Sequence, residues 1–340
     1  MHQQQLHLPI VQAEAKPPTR SAGFVCMQHF QSAGELTRLF EVLTGYKMLG
    51  FQLAPGRVTG TLMCSVLSDK AFAMSYTVSQ DMQFSGLRNL DLLAFGAASP
   101  LNNQGANTVP LFWKNKTMPA GLIGGFQLTE TQSHYRLSAH HQHSLLIVKR
   151  SAVMEHLDRP ENRVVLDYMN AANSALVPQK LHRQFLHYCS LGVVMPELTR
   201  LWSCPVCQLI ELLNDASYGH ALPSAQLLPS SQVLLQKMFG LKQAIFSGLN
   251  AGELADAVGL GRTQLNAACQ EVFGCSPKEF LKSVRLEEAM LLLRSPAERN
   301  LAGLKTIEDV HNHVGISSNS SFRKTFNQWF KATPREFWVE

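Results

Sequence analysis

The sequence predicts an α+β protein in which a β-rich region with flanking helices precedes an all-α domain of two helix-turn-helix motifs. From residue 45 to residue 150, short runs of β-branched and aromatic residues alternate with Gly and Pro, which is typical of strands and turns. From residue 151 onward, apolar residues recur at helical spacing. In addition, one helical unit near the C-terminus occurs twice. Strands followed by helices, as opposed to strands alternating with helices, indicate the α+β class.

The repeated unit relates residues 250–280 to residues 306–337. Gly259 corresponds to Gly315 at an offset of 56 residues, and after one inserted residue the offset becomes 57. The apolar positions of the helix that follows then correspond as well: Leu265 with Phe322, Cys269 with Phe326, and Phe273 with Phe330. Each copy predicts a short amphipathic helix, a turn at Gly, a longer amphipathic helix and a capped third helix. This is the helix-turn-helix plan, with motifs at about 251–273 and 307–330.

Capping signals predict where the helices of both copies begin. In a capping box, a side-chain oxygen accepts a hydrogen bond from the first turn, and a glutamate three residues later reaches back. Two of the boxes carry Pro at the first helical position, where the missing N–H is not needed. We expect Gly259 and Gly315 to need positive φ angles at their turns. The three boxes are Asn250–Glu253, Ser276–Glu279 and Thr333–Glu336.

This arrangement resembles the DNA-binding domain of the AraC/XylS family of bacterial transcription regulators, in which a helix joins two such motifs. The joining helix is recognisable in residues 280–293, and the second motif in residues 314–326 with Thr333-Pro334. The segments 265–266 and 273–276 are most similar to the subgroup that contains the pyochelin regulator. The resemblance covers about the last hundred residues. It implies a transcription regulator, more specifically an activator, with double-stranded promoter DNA and RNA polymerase as partners.

The chain also departs from the family pattern. We call the second helix of each motif its reading helix. The exposed face of the first reading helix carries Ala267 and Gln270, where family members commonly have Arg or Lys. In the second motif, His311 replaces a small residue and Lys331 replaces a glycine. The connection 294–305 is longer than the usual one.

The candidate DNA-contacting residues lie on the second helix of each motif, since that helix enters the major groove. Short polar side chains and free N–H groups at a helix start suit phosphates and base edges. Arg262 is predicted to pair with guanine, Gln264 with adenine, and Lys324 with phosphate. The full set is Arg262, Thr263, Gln264 and Asn266 in the first motif, and Ser317, Ser318, Asn319, Ser320, Arg323, Lys324 and Asn327 in the second.

Composition and charge permit DNA binding without requiring it. A chain of 340 residues with 45% hydrophobic and 16% charged residues has the composition of a globular protein of two domains. The net charge of +5 is not concentrated in the DNA-binding part, since residues 231–340 account for only +2 of it. Locally, residues 311–335 contain four Arg or Lys and no Asp or Glu. That stretch suits a polyanion.

The same features predict a cytoplasmic, nucleoid-associated protein. No apolar run approaches the roughly 18 residues that a membrane helix needs. The N-terminal residues lack the charged and apolar regions of a signal peptide. Seven cysteines without a regular framework fit a reducing compartment. A membrane partner is therefore not expected.

The domain boundaries follow from the change in pattern. Residues 1–218 are predicted to be a sensor and self-association domain, β-rich at about 45–150 and helical at about 151–214. Gly, Pro and Ser in 219–230 predict a linker, and 231–340 the DNA-binding domain. The β-rich part favours an antiparallel barrel or sandwich. Its clearest strand candidates are residues 58–66, 71–78, 90–95 and 144–148.

Residues 52–62 and 134–139 resemble the sensor half of ethanolamine-operon regulators. The wider family implies a cupin-like β-barrel with flanking helices, which binds an effector or another chain, while outlying helices dimerise. We therefore expect a homodimer controlled by a small-molecule effector or a regulatory protein. An apolar stripe, Leu209, Ile210 and Leu213, is available for self-association.

Two clusters allow a metal-binding or redox-sensing alternative. His141 and His143 share a strand face within the cluster 140–143, although surface histidines entering a strand are the commoner outcome. Cys204 and Cys207 have C-x-x-C spacing, although cysteines buried at an interface are commoner. The alternative protein is thus a cupin-like metal or redox sensor with an attached DNA-binding domain.

A catalytic function is not predicted. The sequence shows no Ser/His/Asp or Cys/His set, phosphate-binding loop or paired carboxylate site, so we expect neither an enzyme nor a cofactor. A DNA-repair methyltransferase carrying this type of domain would require a four-cysteine zinc site and a reactive Pro-Cys-His-Arg segment, and neither occurs. The second-ranked function is a regulator that a protein partner controls without any small-molecule effector.

Overall fold

The computed structural model describes residues 25–69, 71–100, 112–113, 116–117, 121–125, 128, 132–139, 141–171, 174–194, 227–316 and 318–340. Within these ranges, no helix is long and apolar enough to cross a membrane. The predicted stripe at 209–213 and the pair Cys204 and Cys207 lie outside the described residues.

The strands form two antiparallel sheets. The strands are β1 Val25–Phe30, β2 Lys47–Gln52, β3 Gly60–Ser68, β4 Ala71–Val78, β5 Met82–Leu87, β6 Leu92–Pro100, β7 Phe112–Trp113, β8 Lys116–Thr117, β9 Leu122–Gly124, β10 Gln132–Leu137, β11 His141–Lys149 and β12 Ser174–Leu176. Among the described residues, one sheet has seven strands in the order β1-β3-β4-β11-β6-β9-β12, and the other has five in the order β2-β5-β10-β7-β8.

The two sheets share one apolar core. Met74 and Tyr76 of the larger sheet pack with Phe84 and Tyr135 of the smaller one. The hydroxyls of Tyr76 and Tyr135 are 3.2 Å apart, which satisfies two polar groups that face the core. The cupin-like closed barrel implied by the family resemblance is not confirmed, because the strands hydrogen-bond into two separate sheets that do not close.

Helices cover the other face of the larger sheet. They are α2 (Arg150–Leu157), α3 (Arg163–Ala171) and α4 (Gln179–Val194). Phe95 and Val148 of the sheet pack with these helices in a second core. A further helix, α1 (Ala33–Thr44), precedes β2. Sequence reasoning assigned no element to residues 25–44, where strand β1 and helix α1 form.

The C-terminal part is helical throughout. Its first two helices are separated by a 3-10 turn at Phe239–Leu241. Its helices are α5 Pro229–Met238, α6 Lys242–Phe246, α7 Ala251–Val258, α8 Arg262–Phe273, α9 Pro277–Arg294, α10 Pro296–Leu301, α11 Ile307–His313, α12 Asn319–Phe330 and α13 Pro334–Phe337. Helices α7 to α9 thus repeat as α11 to α13.

The local signals of the repeat are confirmed. Capping boxes are present at the starts of α7 and α9, and at the start of α13 the carboxylate of Glu336 accepts a hydrogen bond from the N–H of Thr333 at 2.8 Å. Gly259 and Gly315 both have φ of 72°, as the turns require. At Gly315 a side chain is excluded sterically as well, since a Cβ atom there would lie 2.6 Å from the carbonyl oxygen of Phe246. Lys331 adopts φ of 55° where the first copy has Gly274 at 67°.

Each motif has its own core, and the joining helix α9 belongs to both. Its N-terminal end contributes Phe280, which stacks on Phe273 at a centroid distance of 4.1 Å in the core of the first motif. Its C-terminal end contributes Met290 and Leu293 to the core of the second motif. That core also holds Phe322, Phe326 and Phe330 of α12. The position of each second helix therefore depends on α9.

The long connection after α9 folds as a short helix, α10. Arg299 on α10 is buried and donates hydrogen bonds to the carbonyl oxygens of Leu292 at 2.8 Å and Leu293 at 2.7 Å. It also donates to the carbonyl oxygen of Val339 near the C-terminus. These bonds satisfy carbonyl groups at the end of α9, which have no partner within the helix.

Candidate DNA-binding surface

The first reading helix, α8, presents its predicted residues to solvent. Arg262, Thr263, Gln264 and Asn266 are exposed, while Leu265 on the opposite face is buried in the core. Gln264 also has a local role, because its Oε1 accepts a hydrogen bond from the N–H of Gly261 at 3.0 Å. The amide of Gln264 would have to exchange that bond to pair with adenine through both of its polar atoms.

The second reading helix, α12, has the corresponding arrangement. Ser318 caps it, and its Oγ accepts a hydrogen bond from the N–H of Ser321 at 3.3 Å. The Nε of Arg323 donates to Asn319 Oδ1 at 2.9 Å, which orients the guanidinium along the helix face. The predicted residues Ser318, Ser320, Arg323, Lys324 and Asn327 are exposed and Asn319 is half-buried, while Ser317 lies outside the described residues.

The two surfaces differ in charge. In the ranges that the structure describes, Arg262, Arg323 and Lys324 form no ion pair with a carboxylate. Their charges are therefore available to phosphates. The first helix offers one such cation and the second offers two, and Ala267 and Gln270 add none. The surface suits an anionic ligand at both reading helices, and more strongly at the second.

A buried carboxylate on α9 meets the N-terminal region. The side chain of Glu287 accepts hydrogen bonds from the N–H groups of Ala33 at 3.0 Å and Gly34 at 3.4 Å. These groups belong to the first turn of α1 and have no partner within that helix, so the positive end of α1 faces the carboxylate. The N–H of Gln52 lies 3.5 Å away. Burial raises the pKa of Glu287 to about 7, although the N–H donors lower it.

Close packing and ion pairs surround this contact. A Cβ atom at Gly34 would lie 3.1 Å from the carbonyl oxygen of Glu287, so a side chain there would require a shift of a few tenths of an ångström between α1 and α9. Arg294 pairs with Glu35 on one side. Arg38 pairs with Glu298 of α10 at 3.2 Å on the other. The long connection 294–305 thus also contacts the N-terminal region.

The segment 51–57, which we call the strap, leads from one motif to the other. At its start, Phe51 is buried against Phe273 and Phe280 of the first motif, with centroid distances of 5.5 and 6.0 Å. The side-chain amide of Gln52 donates to the carbonyl oxygens of Ala54 at 2.8 Å and of Gly56 at 3.0 Å. Those bonds fold the middle of the strap.

At its end, the strap contacts the second motif. The N–H of Gly56 donates to the carbonyl oxygen of Trp329 at 2.6 Å. Arg57 pairs with Glu336 of α13 at 2.6 Å, and its guanidinium lies over the ring of Phe337 at 5.2 Å. The pair of Arg57 and Glu336 is half exposed, so the ion pair contributes little on its own. Arg57 nevertheless connects the end of the strap to the second motif, whereas Phe51 connects its start to the first.

A cavity of about 560 Å³ lies between the smaller sheet and the two motifs. Its volume is within the range of small-molecule sites, which occur preferentially at domain interfaces. In the described part of the chain, Gln52 Oε1 and Trp329 Nε1 are buried without a hydrogen-bond partner. Both residues line the cavity, together with Gln83, His134, Arg136, Val272, Phe273 and Lys282.

The histidines of the predicted cluster are structural. The expectation of surface histidines is wrong for His141 and His143, which are 8% and 5% exposed, because β11 is a central strand covered on both faces. His143 hydrogen-bonds to Tyr76, and burial lowers its pKa to about 3. His140 lies outside the described residues. Within the described ranges, no group of three or more His, Cys, Asp or Glu is placed to hold a metal ion.

Sequence reasoning missed the residues that join the two parts of the chain. Glu287 could have been recognised from the sequence, because it lies between Val284 and Leu291 on an apolar helix face where a charge is unexpected. Phe51 and Arg57 could not have been recognised from the sequence, since their partners lie more than 200 residues away along the chain.

The comparisons with known proteins agree with this geometry. Residues 254–338 match the family described as a helix-turn-helix domain. The range contains both reading helices and α9. The C-terminal part therefore contains a helix-turn-helix domain.

Two curated relatives are transcription regulators. The HTH-type transcriptional regulator GbdR of Pseudomonas aeruginosa is 24% identical over 220 residues, which are 64% of this chain and 53% of GbdR. The Msm operon regulatory protein of Streptococcus mutans serotype c is 28% identical over 91 residues, which are 27% of this chain and 30% of that protein. The chain spans about half the length of GbdR and less of the second relative. These relatives do not confirm the finer resemblances to the pyochelin and ethanolamine regulators.

Two solved structures have limited similarity to this chain. The match to the AraC-like transcriptional activator CuxR includes 78% of this chain and 95% of the CuxR chain, with 12% sequence identity and a TM-score of 0.38. A regulator with an AraC-type DNA-binding domain from Chromobacterium violaceum covers 32% of this chain and 92% of its own, with 28% identity and a TM-score of 0.27.

Proposed function

We propose that this protein is a sequence-specific DNA-binding transcription regulator of the AraC/XylS type that reads two successive major-groove segments of a promoter. The observation that carries the proposal is the pair of reading helices α8 and α12, which share one joining helix. Each buries an apolar face in its own core and exposes a polar face that begins at its N-terminal end. Such exposed faces suit the groove.

Footprinting of the full-length protein tests this proposal. Genomic fragments are captured with the protein, and the tightest one is probed by hydroxyl radicals. We expect two protected major-groove segments about one helical turn, or on the order of 34 Å, apart on one face of the DNA. Absence of binding to any genomic fragment at low salt would contradict the proposal.

In this proposal the protein acts as an activator, binds as a homodimer and contacts RNA polymerase, without catalysis and without a cofactor. The AraC-type domain supports this choice, because regulators of this kind act at promoters. Transcription in vitro from the captured promoter measures the direction, with increased transcript expected. Light scattering of the purified chain, with and without promoter DNA, measures the stoichiometry.

We further propose that a small molecule controls the regulator through the cavity. The support is the cavity between the smaller sheet and the two motifs, with Gln52 Oε1 and Trp329 Nε1 buried and without partners among the described residues. A ligand that supplies those partners would offset the cost of leaving them unpaired, which is about 1–3 kcal/mol each. The alternative is control by a protein partner.

A thermal-shift screen separates the two. Metabolites of the genes that flank captured sites are tested on the full chain, since a ligand of the folded state raises its melting temperature. Trp329→Phe, which removes the Nε1 donor and keeps an aromatic ring at this position, should reduce the shift. If no metabolite acts and a co-purifying protein changes promoter binding, the protein-partner alternative is correct.

A further inference from the structure

We propose that docking of the N-terminal region on α9 fixes the relative positions of the two reading helices, with the strap and Glu287 as the coupling contacts. The inference rests on the proposed function, because it concerns how two motifs engage one DNA molecule. In this form of regulation, the N-terminal region changes the relative positions of the two reading helices without covering their DNA-reading faces.

The docked arrangement leaves both reading faces open. Arg262 and Gln264 on α8 are exposed while Phe51 is packed against the far side of the same motif. Arg323 and Lys324 on α12 are exposed while the strap contacts Trp329 and Glu336. Because these contacts do not cover the exposed side chains, we assign their effect to the placement of the motifs.

The two motifs have separate cores, and α9 connects them. A single helix permits bending and twisting between two bodies that it joins. Gly315 of the second motif also packs against the carbonyl oxygen of Phe246, whose side chain belongs to the first core. The strap adds a further connection, because Phe51 is anchored in the first core and Arg57 reaches the second motif only six positions further along the chain. Each added connection between the same bodies restricts the angle between α8 and α12 further.

Contacts at α9 itself hold the strap in place. Glu287 meets the first turn of α1 near the point where α9 passes from one core to the other. The close approach at Gly34 and the pair of Arg38 with Glu298 fix α1 against α9 and α10. A change in the N-terminal region that moves α1 or β2 would consequently move the strap.

The test compares the full-length protein with two variants and one matched control. Arg57→Glu places a like charge opposite Glu336 at the second-motif end of the strap. Glu287→Ala removes the carboxylate at α1. The control, Arg163→Glu, makes the same change at the exposed pair of Arg163 with Asp167 on α3, away from the docked surface. Each protein is titrated with the captured fragment and with a version in which one protected segment is scrambled.

We expect both variants to bind the two-segment fragment more weakly, on the order of three- to tenfold, because a looser connection lowers the effective concentration of the second motif at its segment. Binding to the one-segment fragment should not change, and the control should match the wild type on both. Hydrogen exchange over residues 31–57 should accelerate in the variants.

Several outcomes would overturn the inference. Accelerated exchange with unchanged two-segment affinity would show that docking does not set the geometry. Unchanged exchange in both variants would show that Arg57 and Glu287 do not hold the region. Tighter two-segment binding would show that docking holds the motifs away from their DNA-bound arrangement. If the wild-type protein binds no fragment at all, the proposed function fails instead.

Discussion

At the scale of single residues, the second copy of the repeat carries a strained position. Lys331 has φ of 55° at the end of α12, where the first copy has Gly274. A side chain in this left-handed region crowds the following carbonyl, which costs about 1–2 kcal/mol. Glycine avoids that crowding but loses more entropy on folding.

Lys331→Gly should therefore stabilise the protein by about 0.5–1 kcal/mol, measured by chemical denaturation of the full chain. The matched substitution in the first copy is Gly274→Ala, which has nothing within 4 Å of its new Cβ atom and so isolates the backbone effect. It should destabilise by about 1 kcal/mol. Equal effects of the two substitutions would contradict this account.

The charged residues of the reading helices should act in two distinct ways. Arg262→Ala should relax specificity at one base pair, with a loss of about 1–3 kcal/mol if Arg262 reads guanine. Lys324→Ala should weaken binding to all sequences and lower the salt slope by about one, because one phosphate contact is lost. Binding to a panel of fragments at several salt concentrations distinguishes them. An unchanged slope for Lys324→Ala would refute the phosphate contact.

At the scale of elements, α9 is the helix on which both motifs depend. Ser276 Oγ accepts a hydrogen bond from the N–H of Glu279 at 3.3 Å, and the Glu279 carboxylate accepts one from the N–H of Ser276 at 3.0 Å. Hydrogen bonds from Ser276 also lower the pKa of Glu279. Loss of this cap leaves an N–H group in the first turn of α9 without its hydrogen-bond partner.

Ser276→Ala should destabilise the C-terminal part by about 1 kcal/mol, the usual contribution of a capping side chain. Because α9 serves both cores, hydrogen exchange should accelerate in α8 and α12 together. Ser247→Ala, at an exposed serine that follows α6, is the control and should be neutral within about 0.5 kcal/mol. Acceleration confined to α8 would mean that the two motifs unfold independently.

At the scale of the whole molecule, the docked surface should respond to pH through Glu287. Burial raises the pKa of Glu287 to about 7, above the usual value near 4.5. Between these two pH values, the folded state therefore holds a proton on Glu287 that the unfolded state has released. Its contribution to stability is full below about pH 4.5 and is lost as the pH rises through 7. The negative charge of Glu35 raises the pKa of Glu287 further, and Glu35 itself forms an ion pair with Arg294.

Stability measured at pH 6 and pH 8 checks this prediction. The full chain should lose about 1 kcal/mol more over that interval than Glu287→Gln, in which position 287 does not titrate. Taking the difference between the two proteins removes the contributions of the other titrating groups. Identical losses would show that Glu287 is ionised throughout the range.

Much of the C-terminal domain could be predicted from the sequence because its signals are local. Capping boxes, a turn glycine and apolar residues three and four apart act within a dozen residues, and the repeat shows each of them twice. The same reasoning placed the reading residues on exposed helix faces. It also assigned β3, β4, β6 and β11, each of which contains a largely apolar run.

The tertiary structure alone decided how the parts meet. Pairing of strands distant in the chain put the β-rich region into two separate sheets, and no local pattern distinguishes that from a closed barrel. The bond between Ala33 and Glu287 joins residues 254 positions apart. Helix propensity and hydrophobic periodicity hold no information about such contacts, because those contacts depend on which surfaces are left over once each element has formed.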